Sequence, residues 1–121
     1  MSNAIELFDQ IEKATNSGKL AWSLVSKSRY SDIIFQPNQI FRVFKTIYTK
    51  EGDDYEVLLV EKKYEDPDWD FAVEKYRPEM YFLFEREIVL TIDENSVDIN
   101  SFIRLIHKIE LRTDRAKKLL G

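Results

Sequence analysis

"QIFRVFKTIYTKEGDDYEVLLVEKKY", residues 39–64, decides how this chain folds. Two long runs rich in β-branched and aromatic residues flank a reversal built around Gly52, the pattern of two antiparallel strands joined by a tight turn. Neither run alternates cleanly between apolar and polar residues. In the first, Ile40 and Phe44 point one way while Phe41, Val43 and Ile47 point the other; in the second, Val57 and Leu59 oppose Leu58 and Val60. "EMYFLFEREIVLTID", residues 79–93, sets Met80, Phe82 and Phe84 against Tyr81 and Leu83 in the same way. A sheet with one wet face alternates, so two apolar faces call for two coverings.

Working outward, residues 20–25 alternate Leu20, Trp22 and Leu24 with Ala21, Ser23 and Val25, and residues 31–36 form a further run closed by Pro37 and Asn38. A loop from residue 65 to about 78 leads into residues 79–93, which read as one bent strand or as two short ones meeting near Arg86. At the N-terminus Ile5, Phe8, Ile11 and Ala14 recur at helical spacing, Ser2 or Asn3 can cap the start, and Gly18 supplies a stop, giving a helix over residues 4–16. After residue 98, Phe102, Ile106, Ile109, Thr113, Ala116 and Leu120 line one helical face. Asp98 or Asn100 can cap it, and Thr113 with Asp114 can begin a separate final helix.

The order helix, strands, helix has no connection long enough for parallel crossovers. It predicts an α+β fold: an antiparallel β-meander of about five strands flanked by an N-terminal and a C-terminal helix packed on one face, in a single compact domain spanning 1–121. The helices cover one face. The other must be closed by a sheet curling over its own core or by a second chain, most simply in a twofold homodimer.

Composition bounds the chemistry. The 121 residues are 44% apolar with a net charge of −4 and no cysteine, which excludes disulfides, thiolate metal sites and a cysteine nucleophile. No apolar run approaches the ~20 residues of a membrane span and no secretory leader is visible, so a cytoplasmic location is expected. Charge is divided along the chain: residues 1–50 carry seven basic and four acidic side chains, 51–100 five and sixteen, 101–121 six and two. An acidic centre and a basic tail can attract a basic partner or a neighbouring copy. They can equally serve only to keep loops and edges solvated.

"EDPDWD", residues 65–70, places Asp66, Asp68 and Asp70 at the first three ligand positions of a calcium loop. The match then fails, because Phe71 stands where such a loop needs glycine and Arg77 where it needs a bidentate glutamate, although Glu74 falls at a ligand position. No metal or cofactor is expected. The loop is instead a candidate contact surface, formed by Trp69, Tyr76 and Arg77 with Asp66, Asp68 and Asp70, since these aromatic and arginine types concentrate binding energy at interfaces. Trp69 and Phe71 can alternatively fold back to plug the end of the sheet.

His107 is the only histidine, no nucleophile elbow is present, and three glycines cannot build a phosphate-binding loop. Arg104, Lys108, Arg112 and Arg115 make a basic helical stripe, but Glu110 and Asp114 interrupt it within an acidic chain, which argues for a salt-bridged surface over a nucleic-acid contact. These readings converge on a small non-enzymatic binding protein, a regulator or inhibitor acting through a protein–protein surface. The alternative is a small-molecule or nucleotide binder, or an enzyme. Its pocket would lie at the sheet or subunit interface, among Tyr48, Tyr55, Tyr64 or Tyr81 with Arg29, Arg42 or Arg77.

Overall fold

The computed structural model describes residues 3–30, 39–65 and 74–121. The chain opens with α1, Ala4–Asn16, whose first turn is capped by the Asn3 side chain accepting the Glu6 N–H at 3.0 Å. Gly18, at φ +79°, takes the left-handed conformation that turns the chain out of the helix. Thr15, buried near the end of α1, donates to the Ile11 carbonyl at 2.8 Å and accepts from the indole N–H of buried Trp22 at 3.0 Å. That pair fastens the helix to the first strand.

The sheet has five strands, β1 Ser23–Val25, β2 Ile40–Lys50, β3 Asp53–Glu65, β4 Glu74–Phe84 and β5 Glu87–Ile92, each antiparallel to the next in chain order. This is the expected meander. Residues 79–93 resolve into two strands, and both β2–β3 and β4–β5 are joined by two-residue turns. Glu51 and Gly52 (φ 53° and 84°) and Glu85 and Arg86 (φ 52° and 67°) all adopt positive φ, the geometry whose twist matches that of the strands it joins. The sequence run at 31–36 lies outside the described residues.

β4 begins at Glu74, so the loop expected to reach residue 78 is shorter, and Pro78 lies within the strand opposite Glu61. The reason is local. β5 pairs only with residues 80–84, so among the described residues the first half of β4 is a sheet edge, where proline is tolerated.

Against one face pack α1 and α2, Ile99–Glu110, with Phe8, Ile11, Phe102, Leu105, Ile106 and Ile109 meeting Phe44, Val57, Leu59, Met80, Phe82 and Ile92. Phe8 and Phe102 meet edge to face at 4.9 Å, joining the two helices over the sheet. Asp98 caps α2 and Thr113 caps the separate α3, Asp114–Leu120.

The opposite face holds Ile40, Val43, Leu58, Val60, Tyr81 and Leu83, together with Tyr30 from a 3-10 turn at Lys27–Tyr30. Ile40, Val43, Leu58 and Val60 are 0% exposed within the single chain, so this part of the face is closed without a second subunit, while Ile47 and Ile88 on the same face stay exposed. Ile40 lies here rather than beside Phe44 because a bulge at Phe41 shifts the register by one residue. Among the described residues no helix is long and apolar enough to cross a membrane.

Candidate functional site

β5 carries three consecutive exposed apolar residues, Ile88, Val89 and Leu90. As the last strand of the meander it pairs with β4 on one side and, among the described residues, with no strand on the other. Its pairing passes from Phe82–Leu90 to Leu83–Ile88, leaving Val89 as the extra residue of a bulge. Ile88 therefore follows Leu83 toward the second face, while Val89 and Leu90 both turn to the helix-covered side. Ile88, Val89 and Leu90 are 39%, 55% and 41% exposed, far more than aliphatic side chains in the interior of this sheet.

Val89 and Leu90 form one wall of an apolar groove of about 200 Å³. Phe82 of β4 and Tyr55 of β3 form its floor, Tyr48 and Lys50 of β2 its far side, and Leu7 of α1 its roof. The Tyr48 hydroxyl donates to Gln10 of α1 at 3.0 Å and so holds its ring against the helix. Among the described residues Lys50 is the only charged side chain lining the groove. Around it the exposed residues are mostly acidic: Glu6 precedes Leu7, Glu51 and Asp53 lie at the β2–β3 turn, and Glu85 and Glu87 lie at the β4–β5 turn, with Arg86 between them.

The residues singled out from sequence fall elsewhere. Asp66, Asp68, Trp69 and Asp70 lie outside the described residues. Tyr76 and Arg77 are adjacent on β4 and so point to opposite faces. Tyr76 stacks on Phe41 with centroids 4.4 Å apart, and Arg77 pairs with Glu94 at 2.9 Å. The two do not share a surface. Of the tyrosines proposed to line a pocket, Tyr48 and Tyr55 do meet in the groove, as cross-strand partners, whereas Tyr81 is buried on the opposite face. His107 is exposed on α2. The basic stripe is largely engaged within the fold: Arg104 binds Glu12 at 3.0 and 3.3 Å, Lys108 approaches the same carboxylate at 3.6 Å, and Arg112 donates to the Lys108 carbonyl.

Displaced protonation equilibria belong to structural pairs. Burial pushes the Glu61 carboxyl above its ordinary value; Arg42, which contacts both Glu61 and Glu110, offsets this only in part, and the nearby Glu110 charge adds to the upward push. Burial also raises the Tyr30 hydroxyl, beside Glu56, and the Tyr81 hydroxyl, which donates to Glu79. Both stay protonated donors at neutral pH. None of these groups lines the groove, and among the described residues no cluster of three or more histidine, aspartate or glutamate side chains is arranged to hold a metal ion.

Sequence reasoning named Tyr48 and Tyr55 but none of the other residues of this site. Its walls come from α1 and four strands, and the one linear signal is three consecutive apolar residues, Ile88 to Leu90, in the terminal strand of a meander. Compared with known proteins, the chain matches no family model, no curated protein and no solved structure.

Proposed function

We propose that this chain is a non-enzymatic binding protein that engages a protein partner through the β5 edge and the apolar groove beside it. The observation that carries this reading is the exposure of Ile88, Val89 and Leu90 on a strand whose outer backbone has no strand partner among the described residues. Such an edge offers main-chain hydrogen bonds for affinity, and a flanking pocket selects side chains. A groove of about 200 Å³ is smaller than the roughly 300–1,000 Å³ typical of small-molecule sites, which favours a protein segment over a metabolite.

The test is capture from native lysate by immobilised chain, with Leu90→Lys compared against wild type. Circular dichroism and thermal melting of each variant establish that it folds. Proteins retained by the wild type and lost with Leu90→Lys support the reading. Retention that ignores the substitution refutes it.

A further inference from the structure

We propose that the segment seated in the groove is the C-terminal helix α3 of a second copy of this chain; the inference rests on the groove being a protein-binding site, as above. α3 is the one helix of the described residues with no buried side chain. Leu119 and Leu120 are 82% and 71% exposed, the most exposed large apolar side chains among the described residues. Arg115, Lys117 and Lys118 share the same two turns, so the segment is at once apolar and cationic. The groove is apolar apart from Lys50, and Glu51, Asp53, Glu85 and Glu87 stand around it with Arg86, so acidic side chains outnumber basic ones there. Pairing apolar contact with opposite charge both holds such a segment and steers its approach.

The helix cannot fill the groove of its own chain. α3 lies against β1, where Leu24 meets Arg115 and Lys118. The groove lies further along the sheet: Tyr48 and Lys50 stand four and six residues along β2 from Phe44, the partner of Leu24, about 13 and 20 Å at the ordinary rise, and its Val89–Leu90 wall is on β5. Donor and acceptor surfaces therefore stand apart on one chain, and a twofold pair in which each copy gives its helix and receives its partner's satisfies both.

Sedimentation velocity of the full chain over a concentration series tests this. Wild type is expected to associate. Leu119→Ser with Leu120→Ser in the helix, and Leu90→Lys in the groove, are each expected to weaken association about ten- to a hundredfold. Val89→Lys is a second groove variant at a more exposed position, should Leu90→Lys fold poorly. The decisive arm is a mixture of the helix variant and the groove variant. One retains an intact groove and the other an intact helix, so the mixture is expected to form a mixed species that neither variant forms alone. A wild type that stays monomeric throughout, or a mixture that stays dissociated, overturns the inference. Association lost with Leu90→Lys but untouched by the helix substitutions also overturns it, and points to β5 edges pairing with each other. The two readings fail separately. A monomeric wild type whose lysate capture still depends on Leu90 leaves the binding site standing with a different occupant, whereas capture indifferent to Leu90 removes the site itself.

Discussion

Replacing Thr15 with valine probes how the N-terminal helix is attached to the sheet. The substitution keeps the side-chain shape and removes one hydroxyl, which accepts the Trp22 indole N–H at 3.0 Å and donates to the Ile11 carbonyl at 2.8 Å. Thr15 is 0% and Trp22 1% exposed, so water cannot replace the lost acceptor. The Ile11 carbonyl keeps its place in the helical hydrogen-bond ladder and loses little. An orphaned buried donor costs about 1–3 kcal/mol. Taking the middle of that range, we expect Thr15→Val to cost about 2 kcal/mol and to lower the melting midpoint by roughly 6–10 °C for a chain of this size. Urea unfolding followed by far-UV circular dichroism measures the loss. The Trp22→Phe background isolates its cause. With the indole donor gone, Thr15→Val should become nearly neutral, giving a coupling of about 1–2 kcal/mol in the double-mutant cycle. Equal costs of Thr15→Val in the two backgrounds would refute the assignment of the stabilisation to this hydrogen bond.

The β4–β5 turn holds Glu85 and Arg86 at positive φ, where a non-glycine residue costs roughly 1–2 kcal/mol. Glu85→Asn with Arg86→Gly should stabilise the chain by about 1 kcal/mol after the larger unfolded-state entropy of glycine is deducted, and a lower melting midpoint would count against this turn geometry. Carbon-detected NMR titration should find the Glu61 carboxyl above the ordinary glutamate value, through burial, and Glu110→Gln should move it down by removing the second carboxylate on Arg42. Because folded Glu61 holds its proton more tightly than the unfolded chain does, its contribution to stability declines as pH rises through the interval between the two values. Glu12 behaves in the opposite sense. Burial pushes it up, but Arg104 and Lys108 outweigh burial and hold it low, so its stabilisation is full above the ordinary value and is lost as pH falls through its own. Arg104→Ala should erase the downward shift of Glu12 in the same titration.

Much of the fold was legible because its signals are local. Helical spacing with Asn3 and Gly18 at either end located α1 to the residue, whereas the apolar stripe after Asp98 reads as one helix and Thr113 with Asp114 offers the division into α2 and α3 only as an alternative. The two apolar faces of β2, β3 and β4 were equally readable, since a period of two needs no tertiary information. What covers the second face was not, because burial there depends on where the chain travels after β1, and Tyr30 gives no periodic signal of its role. Pro78 misled for a related reason. Proline argues against an interior strand, and only the shortness of β5 leaves β4 an edge at that point. The bulges at Phe41 and Val89 each reassign a neighbouring residue to the other face, and a single inserted residue leaves no mark on composition or spacing. Of the candidate site only Tyr48 and Tyr55 were within reach: the groove exists only because Val89 and Leu90 turn the same way and Leu7 arrives from 41 residues before Tyr48.

Val57, Leu58, Leu59 and Val60 are all sealed from solvent, two on each side of the sheet. Sliding β3 by one position would trade these aliphatic groups across the layer with little penalty, so greasiness alone is a poor guide to alignment. Indexing must come from elsewhere, and the candidates are the two short reversals that clamp one end of the strands and the charged partners Arg42–Glu61 and Lys62–Glu79 further along. Inserting a residue into either reversal should thus produce a mixture of misaligned hairpins, visible as doubled amide resonances, long before it lowers the total strand content.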